Sequence, residues 1–224
     1  GEDGPTHQGM YWMSLYTALP GIKVYKPLDA NETIEMLFVA LEKGEPIMLS
    51  VSRPEMPVLE RKNGVPKAIE STNGAYVYKQ FNSLLEGVGN SPLEGGRGML
   101  TNGSQKIILA ISGSQILQNV LEILPELEKQ NFDIKIIAVT SPELFEDLRK
   151  TNPAKAQNIL SDEERELVLT LLNGWPGFLY PFILPEDYTA KAIGINRYLK
   201  SGNVKEVYDL AGLSPEGIKE KILR

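Results

Sequence analysis

Apolar residues recur in short runs along the chain, and helical patterns separate these runs. Residues 22–25 and 47–51 are apolar runs of strand length. Between them, apolar side chains recur at helical spacing on one face, at Ile34, Leu37, Phe38 and Leu41. We expect Asn31 to cap this helix and Gly44 to end it. Upstream, the apolar and aromatic residues 10–19 predict a buried helix.

The pattern restarts after residue 104 with a clear strand, helix and strand. Residues 107–111 and 134–139 are buried-type strands, and the turn 112–114 leads into the helix between them. Since both strands point the same way, this βαβ unit predicts a parallel sheet. Further strands are expected within 166–172 and 190–195. Ser-Pro-Glu at 141–143 and again at 214–216 marks two more helix starts.

Residues 62–104 differ from both flanks because Gly, Asn, Ser and Pro are dense there. One strand is expected within 74–81, and 82–104 reads as a long loop. We therefore divide the chain into an incomplete α/β domain over 1–61, a linker over 62–104 and a second domain over 105–224. The predicted fold class is a three-layer α/β sandwich, with a mostly parallel sheet between helices in the second domain.

The amino-acid composition argues against several classes of function. The 224 residues are 42% hydrophobic and 23% charged, with a net charge of −6 and no cysteine. Scattered lysines and a negative balance predict no nucleic-acid partner. The apolar runs are too short for a bilayer, so no membrane partner is expected. Absence of cysteine excludes disulfides and thiolate sites and suits a cytoplasmic protein.

Candidate chemistry concentrates in the first eight residues, which read GEDGPTHQ. His7 is the single histidine of the chain, and histidine is the residue type that most often serves as a general acid or base. Gly4 and Pro5 shape a loop that can present this imidazole and the Asp3 carboxylate to a polyhydroxylated substrate. Composition alone also allows a solvated tail with a chance histidine. Arg53 has the same ambiguity, because a surface arginine after an edge strand is common.

This octapeptide resembles, letter for letter, the substrate-binding loop of transketolases. The order that follows is similar to the second half of the pyrimidine-binding domain of that family: a helix, a Pro-Gly-Ile strand, a Pro-x-Asp turn, an amphipathic helix and a strand ending in Ser-Arg. Residues 107–146 resemble the start of the family's C-terminal domain. The chain begins at the octapeptide without a methionine, so we expect the C-terminal part of a larger enzyme.

The resemblance implies roles for four residues. His7 would be catalytic and cofactor-binding, beside the thiamine ring and the sugar's first hydroxyl or carbonyl. Asp3 would bind a substrate hydroxyl, and Arg53 would hold the phosphate of a sugar phosphate, with Ser52 adding a hydroxyl contact. Guanidinium suits phosphate because its planar donors bind the oxygens in pairs.

The reaction implied is transfer of a two-carbon ketol unit between sugar phosphates, in the pentose phosphate pathway. The complete enzyme would use thiamine diphosphate and Mg²⁺, which the family binds upstream, so we expect this chain alone to hold neither and to be inactive. The expected partners are the missing N-terminal half, sugar phosphates and a second copy in a homodimer. The alternatives are a non-catalytic dimerisation or ligand-binding module, and part of deoxyxylulose phosphate synthase or a 2-oxoacid dehydrogenase beta chain.

Two other features have simpler interpretations. The glycines of 95–98 could cradle phosphate, but a flexible loop fits better because no strand leads into them. The carboxylates of 162–166 could bind a metal, but a solvated helix start, with acidic residues near the positive end of the helix dipole, explains them better. No metal ligand is therefore assigned.

Overall fold

The computed structural model describes residues 4–7, 9–62, 64–82 and 104–224. Within these ranges seven strands form two sheets, one of two strands and one of five. The larger sheet is mostly parallel and has helices on both faces. The predicted α/β fold class is therefore confirmed.

The two-strand sheet pairs β1 (Lys23–Tyr25) with β2 (Ile47–Leu49) in parallel, and α2 (Ala30–Lys43) connects them. Gly44 ends α2 in a left-handed conformation, as predicted. The predicted cap at Asn31 is wrong, since Asn31 lies inside the helix. Asp29 is the cap, and its Oδ1 accepts from the Glu32 amide at 2.8 Å. Asp29 is held in this place by tertiary contacts described below.

Helix α2 presents apolar side chains on two sides. Met36 and Ala40 pack with Tyr25 of β1 and with Leu144. The side that the sequence pattern identified, which we call the α2 outer face, is exposed and comprises Ile34 at 54%, Leu37 at 40%, Phe38 at 62% and Leu41 at 69% exposure. The apolar stripe of this helix is real, but the described residues do not cover it.

Helix α1 (Trp12–Thr17) is shorter than the run 10–19 and is not buried as expected. Only Met13 within it is buried, while Leu15 and Leu19 are 62% and 42% exposed. One side of this short helix rests on the larger sheet region, and its other sides have no covering element among the described residues.

The five-strand sheet has the order β3-β5-β4-β6-β7. Its strands, in chain order, are β3 (Ala75–Lys79), β4 (Gln105–Ser112), β5 (Phe132–Val139), β6 (Val168–Leu172) and β7 (Ala192–Ile193). Only β3 runs antiparallel to its neighbour. The candidate run 190–195 thus shrinks to two residues, and the first part of 166–172 belongs to a 3₁₀ turn, Glu163–Leu167.

Helices pack on both faces of this sheet. The remaining helices are α3 (Ser114–Lys129), α4 (Pro142–Thr151), α5 (Pro153–Ile159), α6 (Tyr188–Lys191), α7 (Val204–Ala211) and α8 (Pro215–Ile222). On one face, Leu109 and Ile111 of β4 pack with apolar residues of α3 and α8. On the other, Ile108 and Ala110 pack with residues of α4, α5 and α1. Ser141 and Ser214 cap α4 and α8 as predicted.

The segment 62–104 contributes to this sheet. Its predicted strand exists as β3, which forms the antiparallel edge beside β5. The larger sheet therefore begins before residue 105, because β3 buries Ala75 and Tyr76 in its two cores. Most of the predicted loop 82–104 lies outside the described residues. Across the described residues, no helix is both long and apolar enough to span a lipid bilayer.

Candidate functional site

The N-terminal segment packs against the turn that follows β6. The Trp175 amide donates to the Met10 carbonyl at 3.3 Å, and the Tyr11 ring lies 5.8 Å from the Trp175 ring. Gly174 allows this approach, since a Cβ there would lie 2.6 Å from Met13 Cε. The carboxyl end of β6 therefore positions the segment that carries the histidine.

His7 ends a 3₁₀ turn, Pro5–His7, at the surface. Its amide donates to the Gly4 carbonyl at 3.0 Å, which closes the turn, and its side chain is exposed. An exposed imidazole at this edge is accessible to a ligand. Asp3, its predicted companion, lies outside the described residues.

Ser52 and Arg53 follow β2 and are both exposed. The Ser52 hydroxyl donates to the Ser114 hydroxyl, 3.2 Å away at the first turn of α3. This contact joins the carboxyl end of β2 to the carboxyl end of β4. Because β4 and β6 are parallel neighbours, the segments that carry His7 and Ser52 are anchored at the same edge of the larger sheet.

A cleft of about 420 Å³ lies between α1 and the end of β2. Its walls are Trp12 and Tyr16 on one side and, on the other, Met48, Leu49, Ser50 and Val51. Ser52 and Arg53 come directly after this wall in the chain. The cleft is therefore lined mainly by aromatic and apolar side chains, with Ser50 as a polar group among them. A second cleft, of about 620 Å³, lies on the other side of α1 beside the carboxylates of α4.

Lys26 is a buried charge that sequence reasoning missed. Its side chain is only 9% exposed, and its Nζ lies 3.5 Å from the Ser50 hydroxyl, at the limit of a hydrogen bond. Burial lowers the pKa of Lys26 to about 8. A signal was available, because a lysine directly after a buried strand of a parallel sheet lies at the edge where ligands bind.

A second buried charge cluster holds α2 to the larger sheet. Arg61 donates to Glu32 at 2.8 Å and to Asp29 at 3.2 Å, and the Tyr76 hydroxyl of β3 donates to Glu32 at 2.5 Å. Burial raises the pKa of Tyr76, as does the neighbouring Glu32 carboxylate. Each carboxylate is paired and hydrogen-bonded, so the cluster is structural. The Asp29 carboxylate also accepts from the Leu59 amide, which fixes it as the α2 cap.

The remaining candidates give no site. Glu164, within the acidic run 162–166, binds the buried Lys135 ammonium at 2.8 Å, and this run forms a 3₁₀ turn. Among the described residues, no three His, Cys, Asp or Glu side chains are grouped so that they could hold a metal ion. The glycines of 95–98 lie outside the described residues.

Comparisons with known proteins point to one family. The family model for the transketolase pyrimidine binding domain matches residues 1–58. Transketolase 1 of Saccharomyces cerevisiae is 28% identical over 225 residues, which is 99% of this chain and 27% of the yeast protein. The transketolase structure from Campylobacter jejuni has a TM-score of 0.72 at 27% identity, over 100% of this chain and 29% of that chain.

A third comparison concerns a shorter protein. A structure described as a split gene transketolase, inactive beta4 tetramer, has a TM-score of 0.65 at 16% identity and shares the fold. The match covers 98% of this chain and 63% of that one. Our chain spans only about a quarter of the length of the curated relatives that it matches, as the 27% coverage of the yeast protein illustrates.

Proposed function

We propose that this chain, which matches a fragment of transketolase along its whole length, supplies the sugar-binding part of a thiamine diphosphate-dependent transketolase. The enzyme would transfer a two-carbon ketol unit between sugar phosphates. The observation that carries the proposal is the family match over residues 1–58, since Asp3, His7, Ser52 and Arg53 all fall within it.

Each of these residues would act on the sugar. The His7 imidazole would hydrogen-bond or exchange a proton with the oxygen on the first carbon. Asp3 would accept from a sugar hydroxyl, while Arg53 and Ser52 would bind the terminal phosphate. The exposure of His7 and Arg53 supports these roles, because both side chains can be reached from solvent.

The complete family enzyme uses thiamine diphosphate and a divalent metal. The described residues do not fit the metal, because no three of their His, Cys, Asp or Glu side chains form a group that could hold it. We therefore place the metal and the diphosphate on a partner part of the enzyme. When bound, the cofactor supplies the nucleophilic carbon and electron sink, and this chain would bind and orient the sugar.

The partner part would also cover the α2 outer face and extend the two-strand sheet. Four large apolar side chains on one helix face mark an interaction surface. The neighbour described as an inactive tetramer of a split gene transketolase supports a subunit that requires a partner. We expect the assembled enzyme to be a dimer of such pairs.

The first test is reconstitution. The chain alone, with xylulose 5-phosphate, ribose 5-phosphate, thiamine diphosphate and Mg²⁺, should show no turnover. Turnover should appear when a polypeptide with the remaining transketolase regions is added. Turnover by the chain alone would refute the proposed need for a partner. A stable oligomer that ignores the added polypeptide would support the non-catalytic alternative.

The second test separates the roles of two residues in the reconstituted enzyme. Arg53→Ala should raise KM for phosphorylated donors and leave hydroxypyruvate, which has no phosphate, almost unaffected. His7→Ala should lower kcat for both donors. An Arg53 variant that affects both donors equally would contradict the phosphate role.

A further inference from the structure

The carboxyl ends of the two sheets meet at Lys26. The Lys26 amide donates to the Thr140 carbonyl at 2.7 Å, which ties the end of β1 to the end of β5. Its side chain runs toward the turn after β4, where Lys26 Cε lies 3.3 Å from the place that a Cβ on Gly113 would occupy. A cationic side chain therefore ends at the junction of both sheets.

Gly113 gives this junction its shape. Its φ of 113° strains any residue with a side chain, and a Cβ there would also lie 2.7 Å from Asn173 Oδ1. The next residue begins α3, a helix of 16 residues, and Gly113 offers its first turn no side-chain cap. The uncapped amides at such a turn favour an anion.

Buried polar atoms around this turn lack partners within the described structure. The Ser112 side chain is fully buried, and its hydroxyl makes no hydrogen bond. Ser112 shares its sheet face with Ile108 and Ala110, because side chains alternate along β4. That face packs with Val24 of β1, so the Ser112 hydroxyl lies on the side of the sheet where Lys26 leaves β1.

Asn173 adds a second polar group to the junction. Its Oδ1 is buried without a partner, while its Nδ2 donates to the Tyr208 hydroxyl at 3.0 Å. The Tyr208 hydroxyl can donate as well as accept, so the amide can turn over and present its NH₂ to an anion. Rotation of the Asn173 side-chain amide would therefore be enough to donate a hydrogen bond to an anion, and the backbone need not change.

The Lys26 ammonium itself lacks a counter-charge. None of the ion pairs among the described residues includes it, and within those residues its ammonium makes one hydrogen bond, the long one to Ser50. A buried ammonium without a paired anion is costly, which its lowered pKa of about 8 also reflects. At neutral pH the group stays mostly charged, so an anion would relieve this cost.

The junction adjoins an open cleft through Ser50. Ser50, which contacts Lys26, also lines the cleft of about 420 Å³ between α1 and β2. We infer that the junction formed by Lys26, Ser50, Ser112 and the Gly113 turn binds a small oxyanion of phosphate chemistry, either free phosphate or the phosphate of a sugar phosphate. This oxyanion junction uses side chains other than Arg53, although the Ser52 hydroxyl meets Ser114 at its edge, and it stands without the catalytic proposal.

Calorimetric titration of the full chain with inorganic phosphate, at constant ionic strength, tests this inference. Lys26→Met should weaken phosphate binding by roughly tenfold or more, since it removes a charged hydrogen-bond donor. Lys62→Met, at an exposed lysine, should bind like the unchanged chain. Unchanged phosphate binding in Lys26→Met would overturn the inference.

A second measurement needs no variant. In amide NMR spectra of the unchanged chain, phosphate should shift the signals of Gly113 and Ser114 in a saturable way. Shifts confined to other residues, or no saturation, would overturn the inference even if Lys26→Met did not fold. Fructose 6-phosphate that shifts the same amides at lower concentration than phosphate would identify a sugar phosphate as the ligand; equal or weaker action would identify free phosphate.

Discussion

The two sheets of this chain differ in how completely they are covered. In the five-strand sheet, both faces of β4 are buried, and Phe145 of α4 is only 1% exposed. In the two-strand sheet, α2 covers one side and turns Phe38, at 62% exposure, toward solvent. The larger sheet is therefore buried between helices on both faces. The smaller sheet is covered by α2, whose own outer face is exposed.

The difference shows what an amphipathic pattern predicts. Helices α2 and α3 have similar apolar spacing, yet Ile116 and Leu117 of α3 are fully buried while Leu41 of α2 is 69% exposed. A periodic pattern identifies a face that gains from burial, but it does not identify the surface that buries it. The α2 outer face is therefore evidence for a partner surface.

The smaller sheet is joined to the larger one through buried charge as well as apolar contact. Arg61 links Asp29 and Glu32 of the α2 region, and Tyr76 of β3 binds the same Glu32 carboxylate. This arrangement depends on every partner, because removing one leaves a buried charge uncompensated.

The largest expected contrast is between two phenylalanine truncations. Phe145→Ala should lower the free energy of unfolding by about 4 kcal/mol, because it opens a cavity beside Phe182, whose ring stacks at 5.0 Å. Phe38→Ala is the matched control and should change stability by less than about 0.5 kcal/mol. Urea unfolding followed by circular dichroism measures both. Equal losses would mean that the α2 outer face is covered in solution.

The next contrast concerns the charge cluster. Arg61→Met should cost about 3 kcal/mol, since it leaves the buried Asp29 and Glu32 without their cation. Lys62→Met, one residue away and exposed, serves as the control and should have almost no effect. Urea unfolding gives the cost, and proteolysis should cut the α2 region first in the Arg61 variant. If both variants unfold alike, the cluster does not hold the two regions together.

Lys26 predicts a pH effect at the junction of the regions. Its pKa is about 8 in the folded chain and 10.5 in its ordinary state, so between these values the unfolded chain keeps a proton that the folded chain has released. Stability should therefore rise with pH through this window, by about 3 kcal/mol in chloride buffer without phosphate. Lys26→Met should remove that rise. An unchanged slope in the variant would assign the rise to other groups.

The substitution with the smallest expected effect on the stability of the isolated chain should have a larger effect on binding of the partner. Phe38→Ala hardly affects the chain alone, but on our proposal it removes apolar area from the partner interface. The affinity of the Phe38→Ala chain for the partner polypeptide should fall by roughly tenfold, as expected for loss of a buried aromatic contact. Glu35→Gln lies on the same helix and serves as a control. Unchanged affinity in Phe38→Ala would place the partner elsewhere.

Local signals in the sequence predicted many elements of the fold. Gly44 ends α2 and Ser141 caps α4, because each residue suits its position by its own backbone or side chain. The prediction of Asn31 as a cap is wrong, because Asp29 holds that place and is anchored by Arg61 from a distant part of the chain. No local pattern contains that contact.

The sequence predicted only those residues of the candidate site that lie in short contiguous motifs. His7 and Arg53 were found through a contiguous motif and a short signature, and their catalytic roles remain predictions. Lys26, Gly113 and Asn173 were not grouped, because they lie far apart in the chain and meet only where β1, β4 and β6 end.

The sequence by itself determined the alternation of strands and helices, several of the residues that begin or end them, and the family resemblance of the first residues. These features follow from side-chain spacing and local hydrogen bonding, which a chain carries before it folds. Only the tertiary structure decided that β3 joins the larger sheet, that the α2 outer face stays exposed and that Lys26 is buried without a counter-charge. Each of these features depends on contacts between residues that are far apart in the chain. Burial and charge pairing are set by those contacts and not by the local sequence.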